Sequence, residues 1–532
     1  MYTRKGSDRV TISEPTTRQP DTAPKQLPFT GDEFLESIRD GREVWIYGER
    51  VDDVTKHPAF RNTARSLARL YDALYDDQYK TRLTVGTDTG NGGFTHPFFK
   101  VTRTRDDLRA ARDACRVWSE LSFGWMGRTP DYKAGVTAAL GADPEWYGEY
   151  ADNARRWYRE TQERLLFLGH AIVHPPVDRD LPADQVSDVF VHVEKETDAG
   201  VIVSGAKVVA TGSVLTHGVF VAHFGTLGGK KEYAIVFFAP SNAPGVKYLA
   251  RASYEQVAAQ SGSPFDYPLS SRLDENDAVL VFDKALIPWE NVLIYDVDRM
   301  NTFHDESAWG PRALLQGATR MTVKLEFLAG LMSMAMDIKG GTKTLAAQTA
   351  MGEVVALRET IAGLVDGMIE GARPHHGGRA LIPNHAYGSA YAAIAPVAYR
   401  RVKEIIQTTV SSGLIYLNSN AVDFENPTMR PYLDRFLRGT GGRTAIDRSK
   451  VNKLLFDAIG SEFGGRHELY ELNYFGTPSM NHQDSLRWAE RFGSLDRWRA
   501  LADKCMADYD LSGWTAPDLI NPNDVSMVRR AQ

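Results

Sequence analysis

Val189-Phe190-Val191-His192-Val193-Glu194-Lys195-Glu196-Thr197-Asp198-Ala199-Gly200-Val201-Ile202-Val203 is the stretch on which the fold turns. Val189, Val191 and Val193 alternate with Phe190 and His192, the period of a strand, and Asp198-Ala199-Gly200 turns the chain into a second β-branched run. Further β-like runs follow at 205–210, 219–223, 233–238, 246–250, 278–282 and 289–294. About eight short strands without helices between them predict an antiparallel sandwich or barrel, not a doubly wound parallel sheet.

Outward from this middle the period is helical. Toward the N-terminus, Thr30-Gly31-Asp32-Glu33 reads as a capping box, with Phe29 and Phe34 spaced as a hydrophobic staple. Asp143-Pro144-Glu145 reads as a helix start, followed by Trp146, Tyr150, Trp157, Leu165 and Leu168 at roughly helical spacing, and Pro175-Pro176 ends the run. Toward the C-terminus, Leu314, Ala318, Met321, Leu325, Leu328 and Met332 mark one helical face, and Met351, Val354, Ile361, Leu364 and Met368 mark another. The expected class is α+β: a tail over 1–28, a helical domain over 29–176, a central β domain over 177–300 and a helical bundle over 301–532.

Composition narrows the function. Of 532 residues, 43% are hydrophobic and 24% charged, an ordinary globular mix, and 62 Lys+Arg against 68 Asp+Glu leave a net charge of -6. No basic stripe invites nucleic acid. The two cysteines, Cys115 and Cys505, lie far apart, which excludes a disulfide framework or a thiolate metal cluster and points to a reducing, cytoplasmic setting. The polar start, with Arg4, Lys5, Asp8 and Arg9, does not read as a secretory leader, and the uncharged stretches 208–229 and 405–422 are too polar to span a membrane. Gly90-Asn91-Gly92-Gly93 and Gly439-Thr440-Gly441-Gly442 follow no convincing strand, so no dinucleotide fingerprint is present, and there is no Gly-x-Ser-x-Gly elbow.

Four runs carry chemistry. Gly127-Arg128-Thr129-Pro130-Asp131-Tyr132 sets a guanidinium near a phenol, a pair able to bind a phenolate or carboxylate; residue types alone favour a surface Arg–Asp pair with Tyr132 as packing. Gly169-His170-Ala171-Ile172-Val173-His174-Pro175-Pro176 holds two imidazoles at helical metal-ligand spacing, but His174 precedes proline and no third ligand is near, so no metal is expected. His170 then reads as a polar group at a helix C-terminus, structural or facing a cavity. The run 205–213 is a strand ending in Thr211 and Ser213, either an ordinary turn or a seat for a planar heterocycle. Ser461-Glu462-Phe463-Gly464-Gly465-Arg466-His467-Glu468-Leu469-Tyr470-Glu471 joins a Gly turn, an arginine and a new helix, which suits a phosphate or a plain helix connection equally.

With these runs on the page, the chain resembles the 4-hydroxyphenylacetate 3-monooxygenase and phenol hydroxylase family, the large oxygenase component of two-component flavin-dependent monooxygenases. The resemblance extends from Phe29-Thr30-Gly31-Asp32 through Asp40-Gly41-Arg42-Glu43-Val44, Gly48-Glu49-Arg50-Val51 and His57-Pro58-Ala59-Phe60 to Trp514-Thr515-Ala516-Pro517. It implies an acyl-CoA-dehydrogenase-like fold and ortho-hydroxylation of a phenol to a catechol through a C4a-hydroperoxyflavin. Reduced FAD would come from a separate NAD(P)H:flavin reductase, with O₂ as co-substrate. It implies that Arg128, Tyr132 and His170 surround the phenolic hydroxyl, and that Gly225 and Thr226 of the 224–232 loop contact the rest of the substrate. Flavin contacts are implied at Ile172, Val173, His174, Thr211, Ser213, Ser461, Gly464, Gly465 and Arg466. A homodimer or homotetramer is implied by analogy. The rivals are a carrier-tethered tyrosine-type substrate for the same reaction and an acyl-CoA dehydrogenase or oxidase that retains its FAD. A 4-hydroxybutyryl-CoA dehydratase is excluded, because two cysteines cannot hold its iron–sulfur cluster.

Overall fold

The stretch that decides the fold is a hairpin. Strands His192–Thr197 and Gly200–Lys207 pair antiparallel with Thr197 opposite Gly200, so Asp198-Ala199 forms the tight link. The computed structural model describes residues 26–178, 180–182, 185–223, 229–375, 378–511 and 513–515; residues 1–25 of the expected tail lie outside them.

The hairpin belongs to a six-stranded sheet in the order Glu49–Val51, Glu43–Ile46, Val246–Ala250, Ala278–Pro288, Gly200–Lys207, His192–Thr197. A four-stranded sheet runs Val292–Tyr295, Ile235–Pro240, Gly218–Val221, Leu168–Ala171. Val219, Val221, Ile235 and Phe237 share a core with Val201, Val203, Leu280 and Phe282, and the Phe237 and Phe282 rings meet edge to face at 5.5 Å. Phe220, Val236 and Phe238 point the other way, into a second core with Tyr132, Val136, Leu140, Trp157 and Trp309. Both faces of the smaller sheet are dry, which is why its strands read as unbroken apolar runs.

Between the strands of these two sheets, pairing is antiparallel except at two joins, Glu43–Ile46 with Val246–Ala250 and Leu168–Ala171 with Gly218–Val221. Both are made by segments from the helical first third of the chain. The hairpin Glu43–Ile46/Glu49–Val51 is a strand pair inside a region read as mainly helical; it is too short to show a period and forms because it extends the edge of the larger sheet.

The run from Asp143 also differs from its reading. Pro144–Tyr150 is a 3₁₀ segment broken at Gly148 (φ +59), and the α-helix proper is Ala151–Arg164. It ends at Leu165 in the left-handed region, ten residues before Pro175, because the chain from Leu168 is drawn into the sheet beside Gly218–Val221. Elsewhere the local signals hold. Thr30 and Glu33 form the capping box, and Phe29 and Phe34 are buried.

The α+β class and the order helices, sheets, helices are those expected. Leu314, Ala318, Met321, Leu325, Leu328 and Met332 are all buried on the helix Trp309–Lys339. That helix packs on Leu345–Glu370, His385–Val410 and Ala445–Ile459, and also on Pro130–Ala142 and Arg105–Leu121. No helix among the described residues is long and apolar enough to cross a membrane.

A buried ionic cluster joins the long helix to the helix Glu462–Leu472. Glu471 accepts from Arg320 through both carboxylate oxygens and from Lys324 Nζ at 2.8 Å, and all three side chains are sealed from water. Burial alone would raise the Glu471 carboxyl, but the charges of Arg320 and Lys324 outweigh it and bring the pKa down from 4.5 to about 2. A depressed carboxyl contributes stability that is fully present above 4.5 and is lost as the pH falls through about 2. Glu471→Gln should cost about 3–5 kcal/mol at neutral pH. In urea melts across this window the variant should lose less stability on acidification than the parent; a parallel slope would contradict the assignment.

Candidate active site

The helix Pro130–Ala142 starts on Thr129, with proline in its first turn. This places Arg128 just before the helix and Tyr132 inside it. Asp131, which residue types pair with Arg128 at a surface, is instead buried: Thr129 Oγ1 and Gln316 Nε2 donate to it at 2.5 and 3.2 Å. Arg128 is left to face rings. Its Cζ lies 4.1 Å from the Tyr132 centroid, 4.1 Å from that of Tyr474 and 5.1 Å from that of Tyr470. Its Nε and Nη1 are buried and have no hydrogen-bond partner.

His170 lies not at a helix end but in the strand Leu168–Ala171, opposite Phe220, so its spacing from His174 is not helical. Its ring is 5.5 Å from that of Tyr132, and its Nδ1 is buried and unpartnered. Burial, helped by the charge of Arg128, pushes its pKa well below the ordinary histidine value, so the imidazole is uncharged. Burial also raises the Tyr132 phenol, against the pull of Arg128. Arg128, Tyr132 and His170 therefore meet in one place: a charged donor, a neutral phenol and a neutral imidazole.

The Arg128 backbone is fixed from the β layer. The N–H groups of Gly127 and Arg128 donate to the two carboxylate oxygens of Glu275 at 2.9 and 2.5 Å. The Gly127 carbonyl accepts from the Tyr474 hydroxyl at 2.8 Å. Gly127 is required here, since a Cβ would lie 2.2 Å from the Tyr470 hydroxyl oxygen. A narrow cleft borders Arg128 and is lined also by Phe60, Met126, Phe167, Gly212 and Glu275.

The residues expected at flavin fall into two groups. Thr211, Ser213 and Arg466 converge on the β layer beside Arg128. The Thr211 hydroxyl donates to Asp277 at 2.6 Å, and Arg466 donates to both oxygens of Asp277 at 2.6 and 2.9 Å. Ser213 Oγ is buried and unpartnered and sits so close to Gly169 that a Cβ there would be 2.4 Å away. Ser461 caps the helix Glu462–Leu472 by accepting from the Gly464 N–H at 3.1 Å, so Gly464 and Gly465 lie in its first turn and not in a turn before it. Space is open above Gly465, and Arg466 Nη1 is buried without a partner.

Ile172, Val173 and His174 form the other group. Val173 bridges to Val208, and His174 packs edge-on to Phe190 with its Nδ1 3.3 Å from Lys207 Nζ. Gly225 and Thr226 lie outside the described residues.

Tyr470, Tyr474, Lys133 and Glu275 went unread as site residues. Tyr470 lies in the last turn of the helix Glu462–Leu472 and Tyr474 just beyond its end, four residues on, a usable signal, whereas Glu275 declares itself only through the contact it makes.

Comparison with known proteins identifies the lineage. The family model for the 4-hydroxyphenylacetate 3-hydroxylase N-terminal region matches residues 30–294, and that for its C-terminal region matches 300–503. The chain belongs to the 4-hydroxyphenylacetate 3-hydroxylase family. It is 53% identical over 502 residues, 94% of this chain and 96% of the other, to the oxygenase component of 4-nitrophenol 2-monooxygenase from a Rhodococcus species. A Streptomyces globisporus monooxygenase for a 3-chloro-4-hydroxyphenyl β-amino acyl group on a peptidyl-carrier protein is 52% identical, covering 92% of this chain and 93% of its own. Among solved structures, the oxygenase component of 4-hydroxyphenylacetate 3-monooxygenase complexed with FAD and 4-hydroxyphenylacetate superposes with a TM-score of 0.83. It is 31% identical and covers 90% of this chain and 99% of its own. The expected order of helices, sheets and helical bundle is the fold this chain shares with that oxygenase component.

Replacing Glu275 by Gln turns one acceptor into a donor that faces a backbone N–H. The change should cost about 1–3 kcal/mol of stability, read from the urea midpoint. It should also weaken substrate binding or turnover about tenfold by letting residues 127–128 drift. Unchanged kinetics in a destabilised variant would reduce Glu275 to a packing role.

Proposed function

We propose that this chain is the oxygenase component of a two-component monooxygenase that hydroxylates a para-substituted phenol ortho to its hydroxyl. The observation that carries the reading is the Arg128 guanidinium, buried among three tyrosines with Nε and Nη1 unpartnered, beside an uncharged His170. A buried cation with two free donors calls for an anionic oxygen, and a phenolate supplies one. Arg128 holds that oxygen and stabilises its charge. Tyr132 orients the ring, and His170 accepts the proton, its lone pair kept available by burial.

When bound in its reduced form, FAD would activate O₂, from which the transferred oxygen comes. The residues fit such a group: Ser213 Oγ and Arg466 Nη1 are orphaned buried polar atoms, and the space above Gly465 is open. Thr211, Ser213, Ser461, Gly464, Gly465 and Arg466 would hold the flavin, with Ile172, Val173 and His174 along a second edge. Asp277 orients Thr211 and Arg466 for that task. The tyrosines and the apolar lining exclude water, which would otherwise compete for the proton and discharge the oxygen as peroxide.

An acyl-CoA dehydrogenase would need a free carboxylate as base. Glu275 and Asp131 are instead engaged, by the amides of 127–128 and by Thr129 and Gln316. We assign a free phenol as substrate; the hydroxyl end would be bound in the same way in a carrier-tethered one.

The working unit is taken as a cytoplasmic homodimer or homotetramer served by a separate NAD(P)H:flavin reductase. Support comes from the large exposed apolar side chains of the helical region after residue 300, among them Leu345, Val397, Ile415 and Tyr432, and from the free thiols Cys115 and Cys505. Unit borders at 28, 176 and 300 belong to the same proposal; near the third, the last strand of the two sheets ends at Tyr295 and the helix Val297–Glu306 follows.

Given NADH and FAD alone, the purified chain should neither oxidise NADH nor hydroxylate; an added flavin reductase should restore catechol formation. Robust NADH oxidation by the chain alone would overturn the division of labour. Arg128→Ala should lower turnover about 10²–10³-fold while the thermal midpoint moves little. Near-parental hydroxylation by that variant would overturn the site.

A further inference from the structure

One buried basic group beside the trio has no role in the scheme above. Lys133 follows Tyr132 in the helix Pro130–Ala142 and is 1% exposed. Its Nζ has no hydrogen-bond partner. It sits among rings, 4.6 Å from the Tyr132 centroid, 5.0 Å from that of Trp309 and 5.6 Å from that of Phe220, the residue opposite His170 in the sheet.

The titratable and charged groups that face it are Arg128, Tyr132 and His170. The neighbouring carboxylate, Asp131, is turned toward Thr129 and Gln316. An ammonium stripped of water and of every hydrogen bond is among the costliest groups to bury, so the amine rests uncharged. Desolvation and the charge of Arg128 both push its pKa well below the ordinary lysine value.

An anion held against Arg128, beside the Tyr132 ring that Lys133 also faces, reverses both effects. It cancels the field of Arg128 and gives the amine a counter-charge. We infer that Lys133 is the resting place of the phenol's proton: the substrate O–H bond breaks as its oxygen settles against Arg128, and an N–H bond forms at Lys133 Nζ. The proton passes by way of the neutral His170 imidazole, which takes one up at one ring nitrogen, gives one up from the other and ends neutral as the other tautomer. A phenolate is left between a guanidinium and a new ammonium, with no net change in the charge of the complex. The inference rests on the reading of Arg128, Tyr132 and His170 as the seat of the phenolic oxygen, and it adds where the proton ends.

The test uses the full chain without flavin and 4-nitrophenol, whose phenolate is yellow and whose phenol is not. In weakly buffered solution below the pKa of the free phenol, the parent should turn the bound ligand yellow and release almost no proton to an indicator dye. Lys133→Met should raise the apparent pKa of the bound phenol by about one unit, a tenfold loss of ionisation. Whatever phenolate it still forms should release about one proton per site. Lys133→Arg, charged at every accessible pH, should ionise the ligand but release the proton, and it keeps the test decisive if the Met variant does not fold. A Lys133→Met chain that ionises the ligand and retains the proton as the parent does overturns the inference and leaves the reading of Arg128 standing. A parent that binds 4-nitrophenol without ionising it overturns both.

Discussion

A guanidinium without a partner in a dry site is the constraint on which this molecule is organised. The charge of Arg128 is not removable at any ordinary pH, and burial costs it several kcal/mol unless something answers it. Three tyrosine faces answer part of that cost, and two of its nitrogens are left over. Such an arrangement is tolerable in a folded protein because the rest of the structure holds it rigidly, and it is useful because the vacant donors select for an oxyanion. The surrounding phenols stay protonated and His170 stays neutral for the same reason that Arg128 is under tension: there is no water to solvate a second charge.

The rigidity comes from four consecutive residues just before the strand Ala278–Pro288. Asp274 bonds Arg251 at 2.7 Å, and Glu275 takes the amides of Gly127 and Arg128. The Asn276 carbonyl receives the Gly212 N–H at 2.9 Å, and Asp277 gathers Thr211, Arg251 and Arg466. The N-terminal helical region, the turn after the hairpin and the C-terminal helices thus meet on one short segment. Burial of Asp277 opposes its ionisation, but Arg466 and Arg251 hold its carboxyl below the usual aspartate range, so the joint is ionic at every working pH. Glu471 performs the same office one layer deeper, between the long helix and the helix that bears Tyr470.

The features legible in sequence are those decided locally. The capping box at Thr30, the hairpin around Asp198-Ala199 and the apolar face from Leu314 to Met332 each follow from neighbours a few residues apart. The strand Leu168–Ala171 was not legible, because its direction is set by a parallel partner some fifty residues on, and a helical period ran up to it without a break. The same limit hid Glu275 and Lys133. A carboxylate among four polar residues, or a lysine in an alanine-rich helix, looks like a solvated surface until the fold buries it. Arg128, Tyr132 and His170 were singled out by resemblance, and the structure brings the three together. The flavin contacts are split between a cluster around Asp277 and a separate edge at His174.

The central claim is that the vacant Arg128 nitrogens are completed by the oxygen of a phenol. A crystal structure of the chain with FAD and a para-substituted phenol bound tests it most directly. The account predicts the ring oxygen within hydrogen-bonding distance of Arg128 Nε or Nη1, with Tyr132 and His170 around it. A phenol seated with that oxygen away from Arg128, or a guanidinium turned to pair with a protein carboxylate, would contradict it.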